Sequence, residues 1–454
     1  MKKILKRMFI ILLSLNLIIP QLVFANTLKR QNHYPIILVH GFGGWGKGEV
    51  LNMPYWGGIS EDFENILNDY GYETHAATVG PYASNWDRAC ELYAFIKGGT
   101  VDYGEAHSKK YGHSRYGRTY PGVYPKWGEV NEDGSINKIH LISHSMGGQT
   151  VRVLAQLLKT GSDNEISITK NYSPLFEGNK SWIHSITTIS TPHDGTTLAD
   201  GATGIAPHTQ QIIAGIASQN GMINNPIYDF KLDQWGLKKQ SNESYKEYIS
   251  RVFDSSIWTD TKDISAWDLK PAGAKELNKW VFAQPDIYYF SWSTQKTKEA
   301  PITKKHIPKI GMNLSLIPFS VFMGSHTRDD GSISIDQNWW PNDGVVNTYS
   351  MNGPKLGSND KIINYDNNPR KGVWNFMGVL DSTDHMEILG IGTISKKGKW
   401  YRNFADILGN LPQSNDNIAS SIIKINNEIP TPMENSIFDE IQNQTVEETV
   451  YAKN

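Results

Sequence analysis

The chain has 454 residues, 39% hydrophobic and 20% charged, and a formal net charge of −2. This length and balance suit a large α/β unit or two or three smaller domains, and they exclude a fibrous or wholly disordered chain. Near-neutral charge with no basic tract excludes nucleic acid as a partner.

Lys2, Lys3, Lys6 and Arg7 precede an apolar stretch from Phe9 to Ile19, and Val23-Phe24-Ala25 follows. A basic start, an apolar run and a small-residue cleavage site are the parts of a secretory signal peptide, expected over residues 1–25. The run is short for a membrane span of about 20 residues, and Pro20 breaks it. Removal takes four positive charges away, so the exported form would carry −6. The lone cysteine, Cys90, can make no internal disulfide, which leaves stability to the core and to any bound metal. Its surroundings, Trp86-Asp87-Arg88-Ala89-Cys90-Glu91, offer nothing that would activate a thiol.

Pro35-Ile36-Ile37-Leu38-Val39 reads as a buried parallel strand that delivers the glycine-rich loop His40-Gly41-Phe42-Gly43-Gly44. A second strand is expected at Ile139 to Ile142. A helix should follow over Gln149 to Leu158, where Val151, Leu154, Ala155 and Leu158 keep helical spacing. Ile183 to Ile189 and Tyr288 to Trp292 are further strands. Strands alternating with helices imply a mostly parallel sheet flanked by helices, with the site at the carboxyl ends of the strands. The stretch from about Gln413 to Asn454 is rich in Asn, Glu, Ser and Thr and reads as an extension outside the core.

Ser143-His144-Ser145-Met146-Gly147 lies between the second strand and its helix. That is the place of a nucleophile elbow, whose central serine sits on a strained turn flanked by small residues. Ser143 replaces the usual glycine, and an ordinary N-cap serine is the competing reading. In the α/β-hydrolase fold the chain order is serine, acid, histidine. Asn342-Asp343-Gly344 offers the acid in a turn, and beyond it the chain holds one histidine, His385. Asp384 and Glu387 are rivals for orienting the imidazole, but being adjacent to it in sequence they are poorly placed to reach it from behind. Oxyanion donors are expected from the backbone N–H of Met146, after the nucleophile, and of Phe42 in the early loop.

The chain resembles the secreted lipases of Gram-positive bacteria, the staphylococcal and thermophilic-bacillus group, and the bacillus branch more closely. Matching stretches include Asn85-Trp86-Asp87-Arg88-Ala89-Cys90-Glu91, Gly117-Arg118-Thr119-Tyr120-Pro121-Gly122, Tyr228-Asp229-Phe230-Lys231-Leu232-Asp233-Gln234-Trp235-Gly236 and Ser350-Met351-Asn352-Gly353-Pro354-Lys355. The resemblance implies hydrolysis of water-insoluble acylglycerol esters at a lipid–water interface. It implies a hydrolase domain over 26–412, with a lid region at about 198–260 whose helix spans Ile205 to Ile223. It also implies a zinc-binding insertion at about 80–125. Asp87, His107, His113 and Asp263 stand at the zinc positions, with Asp260 competing for the last. Calcium is implied at the Gly311 carbonyl and Glu387, although Gly392 and Thr393 replace the family's aspartate and proline there. The rival readings are an esterase or polyester hydrolase with the same triad, a zinc-dependent hydrolase, and a non-catalytic surface protein.

Overall fold

Ile36, Ile37, Leu38 and Val39 are all buried, as a β-branched strand covered on both faces should be. Successive side chains point to opposite faces. Ile36 and Leu38 join one core with Trp45, Trp56, Trp292 and Phe404, while Ile37 and Val39 join another with Cys90, Leu154 and Ile186. The sheet therefore separates two apolar layers, each closed by helices. The computed structural model describes residues 30–50, 53–201, 228–329, 331, 333–393 and 396–413.

The strands are β1 (Ile36–Val39), β2 (Thr74–Ala76), β3 (Gly99–Asp102), β4 (Tyr116–Tyr120), β5 (Ile139–His144) and β6 (Ile183–Ile189). They continue with β7 (Tyr288–Gln295), β8 (Thr297–Glu299), β9 (His306–Pro308), β10 (Ile362–Asn364) and β11 (Trp374–Asp381). Seven of them form one sheet in the order β10-β11-β7-β6-β5-β1-β2, and every neighbouring pair is parallel. This is the α/β-hydrolase architecture that the strand–helix alternation predicts. β1, β5, β6 and β7 fall on the four apolar runs. β2, β10 and β11 have no such signal: β2 has three residues, and β11 has exposed Val379 and Asp381 among its buried ones.

The helix Gly147–Thr160 starts two residues after Ser145, and residues 147–158 are buried throughout. β3 and β4 form an antiparallel pair outside the main sheet, with the helix Glu105–Tyr111 between them. The helix expected over Ile205 to Ile223 lies outside the described residues, as do the leader and all but the first residue of the tail. Downstream of the expected lid helix, Phe230, Leu232, Tyr248 and Val252 pack with Tyr82, and Phe42 leans on this cluster. Among the described residues no helix is long and apolar enough to cross a membrane.

Candidate active site and metal group

β5 runs straight into Ser145, which has φ 55°, a conformation that an L-residue adopts only under strain. Its neighbours hold it there. The Ser145 N–H donates to the Ile189 carbonyl at the end of β6 (2.9 Å), and the Thr191 hydroxyl donates to the Ser145 carbonyl (2.9 Å). Small residues around the turn are a steric necessity. A Cβ on Gly41 would lie 2.5 Å from the Ser145 Cβ, one on Gly147 2.5 Å from the Val39 carbonyl oxygen, and one on Gly148 2.1 Å from the Thr191 Oγ1. Ser143 is tolerated in place of glycine because its hydroxyl donates to the Thr187 carbonyl at 2.7 Å.

Asp343 lies in the turn between the short helices Gln337–Trp339 and Thr348–Ser350, beside the end of β7, and His385 in the loop that follows β11. The His385 Nδ1 lies 2.7 Å from the Asp343 Oδ2, and the His385 N–H donates to the Asp343 carbonyl (3.0 Å). Asp343 is fully buried. Its Oδ1 accepts from the N–H groups of Val345 (3.0 Å) and Val346 (2.8 Å), and its Oδ2 from the Thr294 hydroxyl (2.7 Å). An acceptor held in place by this many donors fixes the Nδ1–H tautomer of His385, which leaves Nε2 turned away from Asp343. Asp384 turns away: its carboxylate accepts from the N–H groups of Asn313, Met386 and Glu387. Of these three acids, Asp343 alone touches the imidazole among the described contacts.

Asp87, His107, His113 and Asp263 converge, their nearest donor atoms all within 4.8 Å of one another. The Asp263 Oδ2 is 3.1 Å from both imidazole Nε2 atoms, and the Asp87 Oδ1 is 3.4 Å from the His107 Nε2 and 4.0 Å from the His113 Nε2. A tetrahedron of ~2.0 Å bonds has edges of roughly 3.3 Å. The same four atoms are buried without a hydrogen-bond partner. Four orphaned donors at tetrahedral spacing fit a metal ion that would satisfy them all. The outer contacts agree: the His113 Nδ1 donates to the Ser114 carbonyl (2.9 Å), Gln234 donates to the Asp87 Oδ2 (2.8 Å), and Trp86 stacks on His107 (4.9 Å between centroids). Asp260 is exposed and bonds Thr259 instead. A cavity of about 740 Å³ opens beside this group, between Trp86, Trp267 and Trp280, and not at Ser145. Cys90 is buried beneath, and burial pushes its thiol well above the usual range, so it is no nucleophile.

A family described as lipase-like, C-terminal domain, matches residues 32–419. The chain belongs to this lipase-like family. It is 38% identical over 377 residues to Lipase 1 of Staphylococcus aureus strain MRSA252, covering 81% of this chain and 52% of that protein. The chain thus spans about half the length of the curated relatives it matches. Among solved structures it is similar to lipase 1 of Pelosinus fermentans, at 56% identity and TM-score 0.78, covering 84% of this chain and 99% of that one. It is also similar to EstA of Clostridium botulinum, at 53% identity and TM-score 0.80, covering 85% and 89%. The motif-based resemblance to staphylococcal lipases therefore holds.

Three residues of this lipase-like chain shape the site without a sequence signal. The Gly41 N–H donates to the Tyr55 hydroxyl (3.2 Å), which donates to the His144 Nδ1 (2.7 Å), and the His144 Nε2–H donates to the His385 carbonyl (3.0 Å). Burial, reinforced by His385, holds the His144 imidazole well below its usual range, so it stays neutral. Buried Arg88 donates to the carbonyls of His40 and Gly80 and to the Thr150 hydroxyl, fixing the loop that carries Phe42. Phe42 sits edge-on to Tyr82 (5.1 Å), and the helix N-cap Met146 packs beneath it. The hydrogen bonds of the described residues use neither the Phe42 nor the Met146 N–H.

The calcium expectation meets a different occupant. The Lys296 ammonium donates to the Gly311 carbonyl (2.8 Å) and lies 2.6 Å from the Glu387 Oε2, so the two expected calcium ligands already share a cation. Calcium needs six to eight oxygens. An ammonium among these few leaves no room for it, and the residues do not fit a calcium ion.

Proposed function

We propose that the chain is a secreted serine carboxylic-ester hydrolase, a triacylglycerol lipase acting on water-insoluble esters. The observation that carries this reading is the strained Ser145 at the end of β5 with the His385–Asp343 pair, 2.7 Å apart, at neighbouring strand ends. His385 takes the Ser145 proton through Nε2 as Oγ attacks the ester carbonyl. The N–H groups of Phe42 and Met146 bind the oxyanion, and His385 passes the proton to the leaving alcohol. Water then attacks the acyl-enzyme with His385 again as base, while Asp343 holds the tautomer and balances the imidazolium charge.

In this reading Asp87, His107, His113 and Asp263 hold zinc. Four protein ligands close the coordination sphere, so the ion supplies structure and not a reactive water. Residues 1–25 serve as a signal peptide for export. Residues 26–412 form the hydrolase domain, with its zinc-binding insertion at about 80–125 and a lid region at about 198–260. Residues 413–454 form an extension.

Hydrolysis of esters graded from short and soluble to long and emulsified, with and without a serine-reactive phosphonate, tests the proposal. Rates that rise on emulsions and vanish with the phosphonate are expected, as is loss of turnover with intact folding in Ser145→Ala. Activity confined to soluble esters would make the enzyme an esterase with the same triad. Activity indifferent to the phosphonate would remove Ser145 from the chemistry and turn attention to the metal group.

A further inference from the structure

Lys296 follows β7 directly, and its side chain is 5% exposed. A buried ammonium is expensive unless oxygen atoms take up its charge and its three N–H donors. Here they come from two loops. The Gly311 carbonyl lies at 2.8 Å, the Glu387 Oε2 at 2.6 Å and the Asp384 Oδ2 at 3.6 Å. The two carboxylates are themselves tied down. Glu387 accepts the Asp384 N–H (2.9 Å), and Asp384 accepts the N–H groups of Asn313 (3.0 Å), Met386 (3.1 Å) and Glu387 (3.1 Å).

Asp384 and Glu387 flank His385, so the ammonium grips the loop that presents the imidazole. The Lys296 main chain reaches the other partner. Its N–H donates to the Asn342 carbonyl (3.0 Å), next to Asp343, and its carbonyl accepts from the Lys309 N–H (2.9 Å). One residue thus ties together the loops of Asp343, His385 and Gly311. Two carboxylates and a carbonyl around one positive charge are the donor set of a hard divalent cation, with the charge supplied by the chain itself.

We infer that the Lys296 ammonium is the resident cation of this site, a positioning group that locks the His385 loop, and that this chain neither needs nor binds calcium there. The positioning arm rests on the proposed role of His385; the cation arm does not.

The test uses the full chain with zinc held constant. The wild-type protein, equilibrated with millimolar calcium chloride and desalted, should carry no stoichiometric calcium by elemental mass spectrometry and should show no change in Tm. Lys296→Ala should lower Tm by several degrees and kcat by about tenfold or more, with KM for a short soluble ester unchanged. Millimolar calcium should then return part of both, because the emptied space faces two carboxylates and a carbonyl. Lys296→Met, which fills the space without charge, should lose stability without calcium rescue. Stoichiometric calcium on the wild type, or variants with wild-type Tm and kcat, would overturn the inference. Lys296→Ala without calcium rescue would overturn the equivalence with a divalent ion. If neither variant folds, the wild-type calcium measurement decides. An inactive wild type would sink the hydrolase reading and leave the calcium and Tm arms standing.

Discussion

Tyr55 shows how a single hydroxyl can matter at this site. It accepts from the Gly41 N–H and donates its own O–H to Nδ1 of His144, whose other nitrogen donates to the His385 carbonyl. Tyr55→Phe leaves a buried imidazole nitrogen without its donor, which costs about 1–3 kcal/mol. Denaturant titration should show a loss of that size, and kcat should fall with KM unchanged; a midpoint equal to wild type would show the bond to be dispensable. Tyr55 and His144 are 89 residues apart in sequence and meet only through the fold. Ser145, Asp343 and His385 could be singled out as candidates because acyl transfer demands those residue types in that chain order, and the fold places Asp343 on His385. Tyr55, His144, Arg88 and Lys296 act through burial and distance, which no local pattern carries.

The helix Asn85–Lys97 links the metal group to the loop of Gly41 and Phe42. Asp87 faces the metal group, and Arg88, the next residue, holds the His40 carbonyl beside Gly41 and Phe42. Chelation should therefore reach the active site. Stripping the metal leaves buried charges without their partner, a loss of at least about 3 kcal/mol. Thermal unfolding should shift down and kcat should drop, with both recovered on adding zinc; a chelated enzyme with normal Tm and kcat would make the metal ornamental. Long apolar runs made β1, β5, β6 and β7 readable. The antiparallel β3–β4 pair was not, because Val101 is the one fully buried residue in the two short strands, and a long-range Arg115–Asp102 pair helps to hold them.

Across the whole molecule, the buried histidines set the response to acid. Burial depresses His40, His144, His184 and His193 well below the ordinary value of 6.5, and His140 to about 3. These five are neutral when folded, whereas the unfolded chain takes up protons below about 6.5. Stability is therefore present above that pH and lost as pH falls through the window. Glu91, Asp268 and Asp384 oppose this: burial raises the first two to about 7 and the third, beside Glu387, to about 6, so the folded state holds their protons between those values and the ordinary carboxyl range. Each unmatched proton is worth about 1.4 kcal/mol per pH unit, and the histidines outnumber the carboxyls. Scanning calorimetry with zinc present should show Tm falling steadily from pH 6.5 to 5, and a flat profile would mean that the buried imidazoles find protons inside the fold.

The tethered ammonium at Gly311 and Glu387 also sets what the surroundings can do to the enzyme. A bound ion stabilises in proportion to the logarithm of its free concentration, so dilution, phosphate or any competing ligand weakens it. A cation carried on Lys296 has no such term, because the covalent chain keeps it there until the protein unfolds. The loop that presents His385 is then equally firm in calcium-poor and calcium-rich fluids. If the chain hydrolyses emulsions as proposed, any gain in rate with calcium would have to arise at the released fatty acid, as an insoluble soap, and not at this loop.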